Sequence, residues 1–476
     1  MAICRAVVHR SGRATMIPGD VVHTACVTME KGPMQKWFVL FFYNIPLFLT
    51  RFFLAIMLHL LEDFGLASFK LPFPRNRVEV EQDPQLLIDI LRHKTKIIPP
   101  GSTKIRLRLH EASEASIADP DKFLHVFLFT LSWITKTGEE SFKTICCKTS
   151  KFRGPRMAQL YLAGVGFKSR EQVFYKYFAN ELKKSNVKVP QCYYSDVFPL
   201  TTHVFFLLEA INIDGIVNVP LADSMAKNQE ICLFLREEAR LHAYGMRQCK
   251  TTFDGLNGSI FPAIINTSKP LKQHRILLEE SFKFVSQKCP QSLLHGDARL
   301  GNGILDKSAN RVTIVDFEMC QPGAPIFDVV YCLWLCSDPP TKVPSDSLYS
   351  KGEWELIHLW EEEVIRHLGQ TTDVVEGYAA LSDQVLVASV LLWAYTWAVG
   401  DAGFGKVWED GNNKADLQAW GKRIRQRIMI FYKCTEAHHR LALLLSANST
   451  SLPKQEALAY VSSFIDAGVK QKVWTE

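Results

Sequence analysis

The sequence predicts an α+β fold in which an antiparallel sheet comes first and a larger, mainly helical part follows. Apolar residues alternate with polar ones, as is typical of strands, at several places between residues 104 and 211. From residue 225 onward the apolar residues recur mainly at helical spacing. With 476 residues, 47% of them hydrophobic and 22% charged, the chain can bury a large core, so a globular protein is predicted rather than a disordered one.

The N-terminal region is predicted to contain three segments that precede the sheet. Residues 1–35 have a mixed composition without a clear period and are predicted to be poorly ordered. A hydrophobic helix is predicted over 36–62, where the apolar stretch 37–61 is long enough to span a bilayer. Polar residues along one face of this helix leave three alternatives open: a membrane anchor, an interfacial helix, or a helix packed on the rest of the protein. Residues 63–103 are predicted to be a connector with one helix over 84–93.

The predicted sheet has five strands, because short apolar or alternating stretches recur along this part of the chain. These stretches are 105–109, part of 123–133, 141–152, 189–196 and 202–211. A helix is predicted over 169–182, and Glu171 lies on the same helical face as four apolar residues. A carboxylate on an apolar face is costly to bury unless a cation meets it. The pattern therefore predicts a cationic partner for Glu171.

The segment 293–328 carries the residues on which the functional interpretation depends. Two strand arms, 303–305 and 313–315, flank a polar stretch with the composition of a turn, so a β-hairpin is predicted. The predicted register pairs Asn302 with Asp316 at the open end of this hairpin. Both side chains are therefore expected to lie close together.

The residue types at this open end suit phosphoryl transfer. An amide oxygen beside a carboxylate is a ligand pair that a hard cation such as Mg²⁺ prefers. Asp297 lies a few residues upstream of Asn302, on the loop that enters the hairpin, and suits a base that orients a hydroxyl. Phosphoryl transfer depends mainly on positioning and on neutralising charge, which is what these groups can provide.

Two sequence motifs in this segment carry a family resemblance. HGDARLGN holds His295, Gly296, Asp297 and Asn302, and IVDFE holds Asp316, Phe317 and Glu318. Together they resemble the catalytic and metal loops of the aminoglycoside phosphotransferase and choline kinase-like family of small-molecule kinases. The resemblance implies a bilobal protein-kinase-like fold with an extra N-terminal helical segment. In that fold a small antiparallel-sheet lobe would span 104–212 and a larger, mainly helical lobe 213–476.

The resemblance also implies roles for individual residues. Lys148, at the end of the apolar run 145–147 in the third strand, would bind the phosphates of ATP and would be fixed by Glu171. Asp297 would orient the hydroxyl of the acceptor or accept its proton. Asn302 and Asp316 would hold Mg²⁺.

Further residues are implied to support the site, and one assignment has competitors. His295 would hold the catalytic loop by hydrogen bonds, and Glu318 would extend the acidic cluster. Asp328, which opens the next predicted helix, would bind the backbone of the catalytic loop. Lys143 and Lys151 remain alternatives to Lys148, because all three lie on or next to the third strand.

The predicted function is an ATP- and Mg²⁺-dependent phosphotransferase that acts on a hydroxyl of a small molecule. One departure from the family pattern favours an alternative: residues 110–123, between the first two strands, contain no glycine and four acidic residues. The alternative is a catalytically weak kinase-like binding module, tethered to a membrane or a partner. A protein kinase is disfavoured, because the interval from Asp316 to Asp328 is too short for an activation loop.

Charge and cysteine content narrow the other possibilities. A net charge of +6 is small for this length and is not concentrated in one basic tract, so nucleic-acid binding is not predicted. The 12 cysteines are scattered without a CxxC pair or a zinc-ligand grouping, which favours a reducing compartment. An ATP-using enzyme agrees with a cytoplasmic location. Membrane association through 37–61 stays an open alternative.

Overall fold

The structure, a computed structural model, describes most of the chain between residues 73 and 470. The described residues are 73–74, 77–110, 125–150, 169–198, 203–211, 218–248, 256, 260–266, 268–340, 347–369, 378–401, 414–449 and 452–470. The predicted segments 1–35 and 36–62 lie outside the described residues, as does Lys151. Nearly all of the glycine-free segment 110–123 lies outside them too.

Strands dominate the first part of the described chain and helices the second. The helices are α1 (Arg77–Gln82), α2 (Pro84–His93), α3 (Ser169–Tyr177), α4 (Ala179–Lys184), α5 (Asn228–Gln248), α6 (Ile260–Ile265), α7 (Arg275–Lys288), α8 (Ile326–Cys336), α9 (Lys351–Leu368), α10 (Leu381–Asp401), α11 (Lys414–Lys433), α12 (Thr435–Ala447) and α13 (Lys454–Lys470). The strands are β1 (Thr103–Leu109), β2 (His125–Ile134), β3 (Glu140–Ser150), β4 (Cys192–Phe198), β5 (His203–Glu209), β6 (Asn218–Pro220), β7 (Ser292–Leu294), β8 (Gly303–Asp306), β9 (Arg311–Ile314) and β10 (Gln321–Gly323). The predicted α+β class is thus confirmed.

Strands β1 to β5 form one antiparallel sheet with the order β1-β2-β3-β5-β4. Side chains alternate between the two faces of a strand. Ile145 and Cys147 of β3 therefore share a core with Leu87 and Leu91 of α2, on one face of the sheet. Lys148 points to the opposite face, where α3 lies. The alternation of β3 thus directs this lysine towards α3.

The helix predicted over 169–182 is interrupted at Phe178, which separates α3 from α4. Phe178 adopts a φ of −111°, outside the usual helical range, while its ring stays buried in the core. Hydrogen bonds continue across the interruption, from Phe178 N to Phe174 O at 2.8 Å and from Leu182 N to Phe178 O at 2.9 Å. The predicted apolar face is therefore kept.

The hairpin of β8 and β9 has a register that differs by one residue from the predicted register. Asp306 pairs with Arg311, so the connecting loop consists of residues 307–310. The loop closes in this way because Asp306 Oδ1 accepts hydrogen bonds from the N–H groups of Ser308 and Ala309, at 2.9 and 3.0 Å. The preference of an aspartate for this turn decides the register.

The shifted register changes which residue lies opposite Asn302. The N–H of Val315 donates to Asn302 O at 3.0 Å, so Asn302 faces Val315 and not Asp316 as predicted. Asp316 is the next residue and has a left-handed backbone, with a φ of 68°. Asn302 and Asp316 thus both lie at the open end of the hairpin.

The helical part has its largest core around α8 and α10. Of the described helices, one is long and apolar enough to cross a membrane: Leu381–Gly400 in α10. Its most apolar stretch of 18 residues is 83% buried inside the protein. Trp393 and Trp397 of this helix pack in the core against Phe464. Helix α10 is accordingly a core helix, and it gives no support to membrane association.

Candidate active site

Lys148 meets Glu171 across the gap between β3 and α3. Its Nζ donates to Glu171 Oε2 at 2.7 Å and to Asp316 Oδ1 at 2.6 Å. Lys148 and Glu171 are 6% and 2% exposed, so their contact is buried. The predicted contact between Lys148 and Glu171 is therefore present, and Asp316 joins it.

Among the described residues, the cluster around Lys148 holds more carboxylates than cations. Although burial disfavours its charge, Asp316, Glu171 and Glu318 together hold the pKa of Lys148 above the ordinary value. Burial also raises the pKa of Glu171, because one shared lysine only partly replaces the lost water. Such an excess of carboxylate is favourable for a bound divalent cation.

Phe317 ties Asp316 to the helix that carries Glu171. The ring of Phe317 is fully buried and stacks on Phe174 of α3, with ring centroids 3.6 Å apart. Arg170, also in α3, donates from Nη1 to Cys320 O at 3.1 Å, just beyond Phe317. These contacts link the position of Asp316 to that of Glu171.

His295 holds the candidate catalytic loop, residues 295–302, against the hairpin. Its Nε2 donates to Val315 O at 2.9 Å, and its Nδ1 accepts the N–H of Asp297 at 3.2 Å. Both ring nitrogens are thus engaged, and the ring is fully buried. The predicted role of His295 in holding the loop agrees with these two bonds.

Asp328 binds the backbone of the same loop from the first turn of α8. Its carboxylate accepts the N–H groups of His295 and Gly296 at 2.7 and 3.0 Å, and Nε2 of His242 at 3.0 Å. Trp360 donates its indole N–H to Nδ1 of His242 at 3.0 Å. The proton of the imidazole is therefore on Nε2, which makes His242 a hydrogen-bond donor to Asp328 and not a metal ligand.

Replacing Gly296 by alanine is expected to destabilise the protein by about 2 kcal/mol or more. Gly296 has a φ of +84°, and an added Cβ would lie 2.1 Å from Met319 O. The free energy of unfolding in denaturant measures the effect. Gly352→Ala is the matched control: nothing lies within 4 Å of its Cβ position, and alanine at this helical site should stabilise by up to about 1 kcal/mol. A Gly296→Ala protein as stable as the parent contradicts the expectation.

Asn302 is oriented by Asp297. Its Nδ2 donates to Asp297 O at 2.8 Å and to Asp297 Oδ2 at 2.7 Å. Because both bonds use the amide nitrogen, the amide oxygen is turned away from Asp297. Within the described part of the chain, no hydrogen-bond donor reaches this oxygen, which leaves it available as a ligand.

Asp297 itself is contacted by two residues that the sequence did not single out. Tyr331 of α8 donates its hydroxyl to Asp297 Oδ1 at 2.8 Å, and Arg299 donates from Nε to Oδ2 at 3.2 Å. Burial and the carboxylate of Asp297 raise the pKa of Tyr331 well above its usual value, so the phenol is a neutral donor. Arg299 stands two residues after Asp297 in the motif, whereas Tyr331 has no local signal because helix packing brings it there.

The groups present fit Mg²⁺ and a nucleotide phosphate. The carboxylate of Asp316 and the amide oxygen of Asn302 are both oxygen donors, as Mg²⁺ prefers. Lys148 supplies a positive charge beside them, held in place by Glu171. The side chain of Asp297 is 22% exposed. It lies next to these groups because it accepts a hydrogen bond from Asn302.

The described residues form an α+β fold, in which a five-stranded antiparallel sheet precedes a mainly helical part. Residues 169–348 match the model of the phosphotransferase enzyme family. The predicted resemblance to the aminoglycoside phosphotransferase and choline kinase-like family is thereby confirmed over these residues. The match covers less than half of the chain; it includes Glu171 and the whole segment 293–328, but not Lys148.

Several solved structures are similar to this chain. A choline/ethanolamine kinase family protein from Mesorhizobium loti is 13% identical with a TM-score of 0.38, covering 79% of this chain and 99% of its own. A choline kinase from Cryptosporidium parvum is 13% identical with a TM-score of 0.44, covering 74% and 97%. An aminoglycoside-3'-phosphotransferase of type VIII is 14% identical with a TM-score of 0.33, covering 65% and 98%. Among curated protein sequences no significant match is found.

Proposed function

We propose that this protein is a phosphotransferase that moves the γ-phosphoryl group of ATP to a hydroxyl of a small molecule. The observation that carries the proposal is the juxtaposition of Lys148, Asp316 and Glu171 with the catalytic loop. Lys148 bonds both carboxylates at 2.7 Å or less, and Asp316 directly follows Val315, whose N–H donates to Asn302 O. The family match over 169–348 supports the same class of reaction.

Asp297 is proposed to orient the acceptor hydroxyl and to take its proton. Its carboxylate is held by Asn302 and Arg299 on Oδ2 and by Tyr331 on Oδ1. Three donors on one carboxylate set its direction, and positioning is the main contribution of such a residue to phosphoryl transfer. Each oxygen of a carboxylate has two lone pairs, so Oδ1 can still accept a hydrogen bond from the acceptor.

Asn302 and Asp316 are proposed to hold Mg²⁺, and Lys148 to bind the phosphates of ATP. Magnesium would supply charge neutralisation on the phosphate oxygens. Glu171 would keep Lys148 directed at the phosphates, because its buried carboxylate needs the cation. Glu318 would add negative charge close to the metal ligands, as its effect on the pKa of Lys148 indicates.

The acceptor is proposed to enter on the side of Asp297 where α8 and α10 present aromatic rings. Tyr331 lies 6.3 Å from Tyr395 between ring centroids, and Tyr395 lies 5.0 Å from Phe261. Tyr395 is the aromatic residue of α10 on this side, whereas Trp393 and Trp397 are core residues. An aromatic wall suits acceptors with an apolar or cationic portion.

A screen of ATP consumption by the full chain tests the proposed function. The panel contains amino alcohols, sugars and hydroxy acids, each with Mg²⁺, and any acceptor found is tested again with Asp297→Asn. We expect at least one acceptor whose phosphorylated product forms with the parent and is strongly reduced with the variant. If the protein binds ATP but no acceptor is phosphorylated, the alternative of a kinase-like binding module gains support.

A further inference from the structure

Arg299 lies beside Asp297 and is held by further contacts in addition to its ion pair with Asp297. Its Nη1 donates to Asp223 Oδ2 at 3.0 Å, and its guanidinium lies over the ring of Trp420, 5.1 Å from the centroid. Gly301 leaves the room for this arrangement, since an added Cβ there would lie 2.2 Å from Nη1. The guanidinium is thus held at a fixed place by several parts of the fold.

Asp223 is the anchor of this arrangement. It is fully buried and accepts hydrogen bonds from Gly301 N at 2.7 Å and from Trp420 Nε1 at 3.1 Å, besides the bond from Arg299. Its charge is therefore compensated by these two donors as well as by Arg299. Asp223 can hold Arg299 in place whether or not the contact with Asp297 is kept, which makes it a positioning residue.

The guanidinium of Arg299 keeps hydrogen-bonding capacity that no described residue uses. Although burial opposes its charge, Asp297 and Asp223 hold the pKa of Arg299 above its usual range, so it is always a cation. Its side chain is 18% exposed, and Nη2 makes no hydrogen bond to any residue that the structure describes. A guanidinium with an unused N–H edge is well suited to phosphate oxygens.

We propose that Arg299 is a further catalytic residue, whose guanidinium contacts the γ-phosphoryl group while it moves from ATP to the acceptor. This inference rests on the proposed function. A hydroxyl held by Asp297 lies about 3 Å from its carboxylate, and the attacked phosphorus about 3–3.5 Å further on. Arg299 bonds the same carboxylate at 3.2 Å, so the oxygens of that phosphoryl group come within its reach.

The step itself is a substitution at phosphorus. A bond forms between the acceptor oxygen and the γ-phosphorus, the bond from this phosphorus to the oxygen of ADP breaks, and the hydroxyl proton goes to Asp297. Negative charge is spread over the oxygens of the transferred group during this step, and a fixed cation beside them lowers the barrier. Lys148 is shared by Glu171 and Asp316, so Arg299 adds a second positive charge at the reacting end.

The test is the preference of the full chain for a triphosphate over a diphosphate, measured by calorimetry with Mg²⁺. The ligands are ADP and the β,γ-imido analogue of ATP. We expect Arg299→Met to lose on the order of tenfold of the preference for the triphosphate, while its affinity for ADP stays close to that of the parent. Arg299→Lys should retain part of the preference, because it keeps the charge but not the fork of N–H groups.

Two control variants separate contact with the phosphoryl group from orientation of Asp297. Tyr331→Phe removes a hydrogen bond to Asp297 without removing a cation, and should keep the preference for the triphosphate. Arg275→Met removes an exposed arginine from α7 and should also keep it.

Four results would overturn the inference. An unchanged preference in Arg299→Met would reduce Arg299 to a residue that orients Asp297, and an equal loss of ADP affinity would indicate general damage. If Arg299→Met does not fold, the same preference measured in Arg299→Lys decides, and a value equal to that of the parent counts against the proposal. A parent protein that binds neither nucleotide overturns the proposed function and this inference with it.

Discussion

Replacing Asp297 by asparagine is expected to lower the rate of phosphoryl transfer by about 10²- to 10⁴-fold. Asparagine has the same shape: its oxygen can replace Oδ2 and accept from Arg299 and Asn302, while its NH₂ group faces the hydroxyl of Tyr331, which can accept a hydrogen bond. Its amide, however, cannot take the proton of the acceptor hydroxyl. The rate with saturating ATP and acceptor measures the loss, and the affinity for Mg-ATP should change little because the metal ligands are intact.

The matched control for this variant is Asp466→Asn, which changes an exposed aspartate of α13 in the same way. It should keep the rate of the parent. An Asp297→Asn protein with a rate within a few-fold of the parent would remove Asp297 from its proposed role. A lost rate together with lost binding of Mg-ATP would instead assign Asp297 to nucleotide binding.

Replacing Lys148 by methionine is expected to destabilise the protein by about 3–5 kcal/mol and to weaken ATP binding strongly. The variant leaves Glu171, 2% exposed, without the cation that it bonds at 2.7 Å. An uncompensated buried carboxylate is the source of the cost. The free energy of unfolding measures it, and the double variant Lys148→Met/Glu171→Leu should regain most of the stability but not the ATP binding.

The destabilisation of Lys148→Met should depend on pH in a defined direction. Burial raises the pKa of Glu171 to about 7 in the parent, and loss of Lys148 removes the main effect that lowers it. A carboxyl whose pKa is raised by folding binds more protons in the folded state, so stability falls as pH rises from about 4.5 through 7 and above. The stability difference between Lys148→Met and the double variant should therefore be small at pH 5 and large at pH 8.

Lys143→Met is the control for the assignment of Lys148. Lys143 lies on the same strand, with its Nζ 4.2 Å from the centroid of the Tyr193 ring. Among the described residues, no carboxylate forms a salt bridge with it. Its loss should cost about 1 kcal/mol or less and leave ATP binding unchanged. If Lys143→Met and not Lys148→Met abolishes ATP binding, the assignment is wrong.

Sequence patterns predict those residues of the site that lie close together along the chain. His295, Asp297 and Asn302 lie within one motif, and Asp316 follows an apolar strand, so spacing alone places them near one another. Glu171 was recognisable because a carboxylate on an apolar helical face requires a cation. Strand alternation and helical periodicity predicted most elements of the fold for the same reason, since both follow from the burial of nearby side chains.

Contacts between distant parts of the chain were not predictable in this way. Asp223, Trp420 and Tyr331 reach the catalytic loop through the packing of helices, and no local pattern marks them. The hairpin register was predicted wrongly because the hydrogen bonds of one turn residue, Asp306, outweigh the symmetric pairing of the strand arms. The break at Phe178 also has no signal in the apolar period.

Asn302 and Asp316 are proposed to hold a magnesium ion against the phosphates of ATP. Calorimetric titration of the full chain with ATP, in Mg²⁺ and in EDTA, tests it directly when parent and Asp316→Asn are compared. We predict that Mg²⁺ strengthens ATP binding to the parent by on the order of tenfold or more, equivalent to about 1.4 kcal/mol, and that Asp316→Asn loses this gain. ATP binding that is absent from the parent, or that responds to Mg²⁺ equally in both proteins, would contradict this magnesium site.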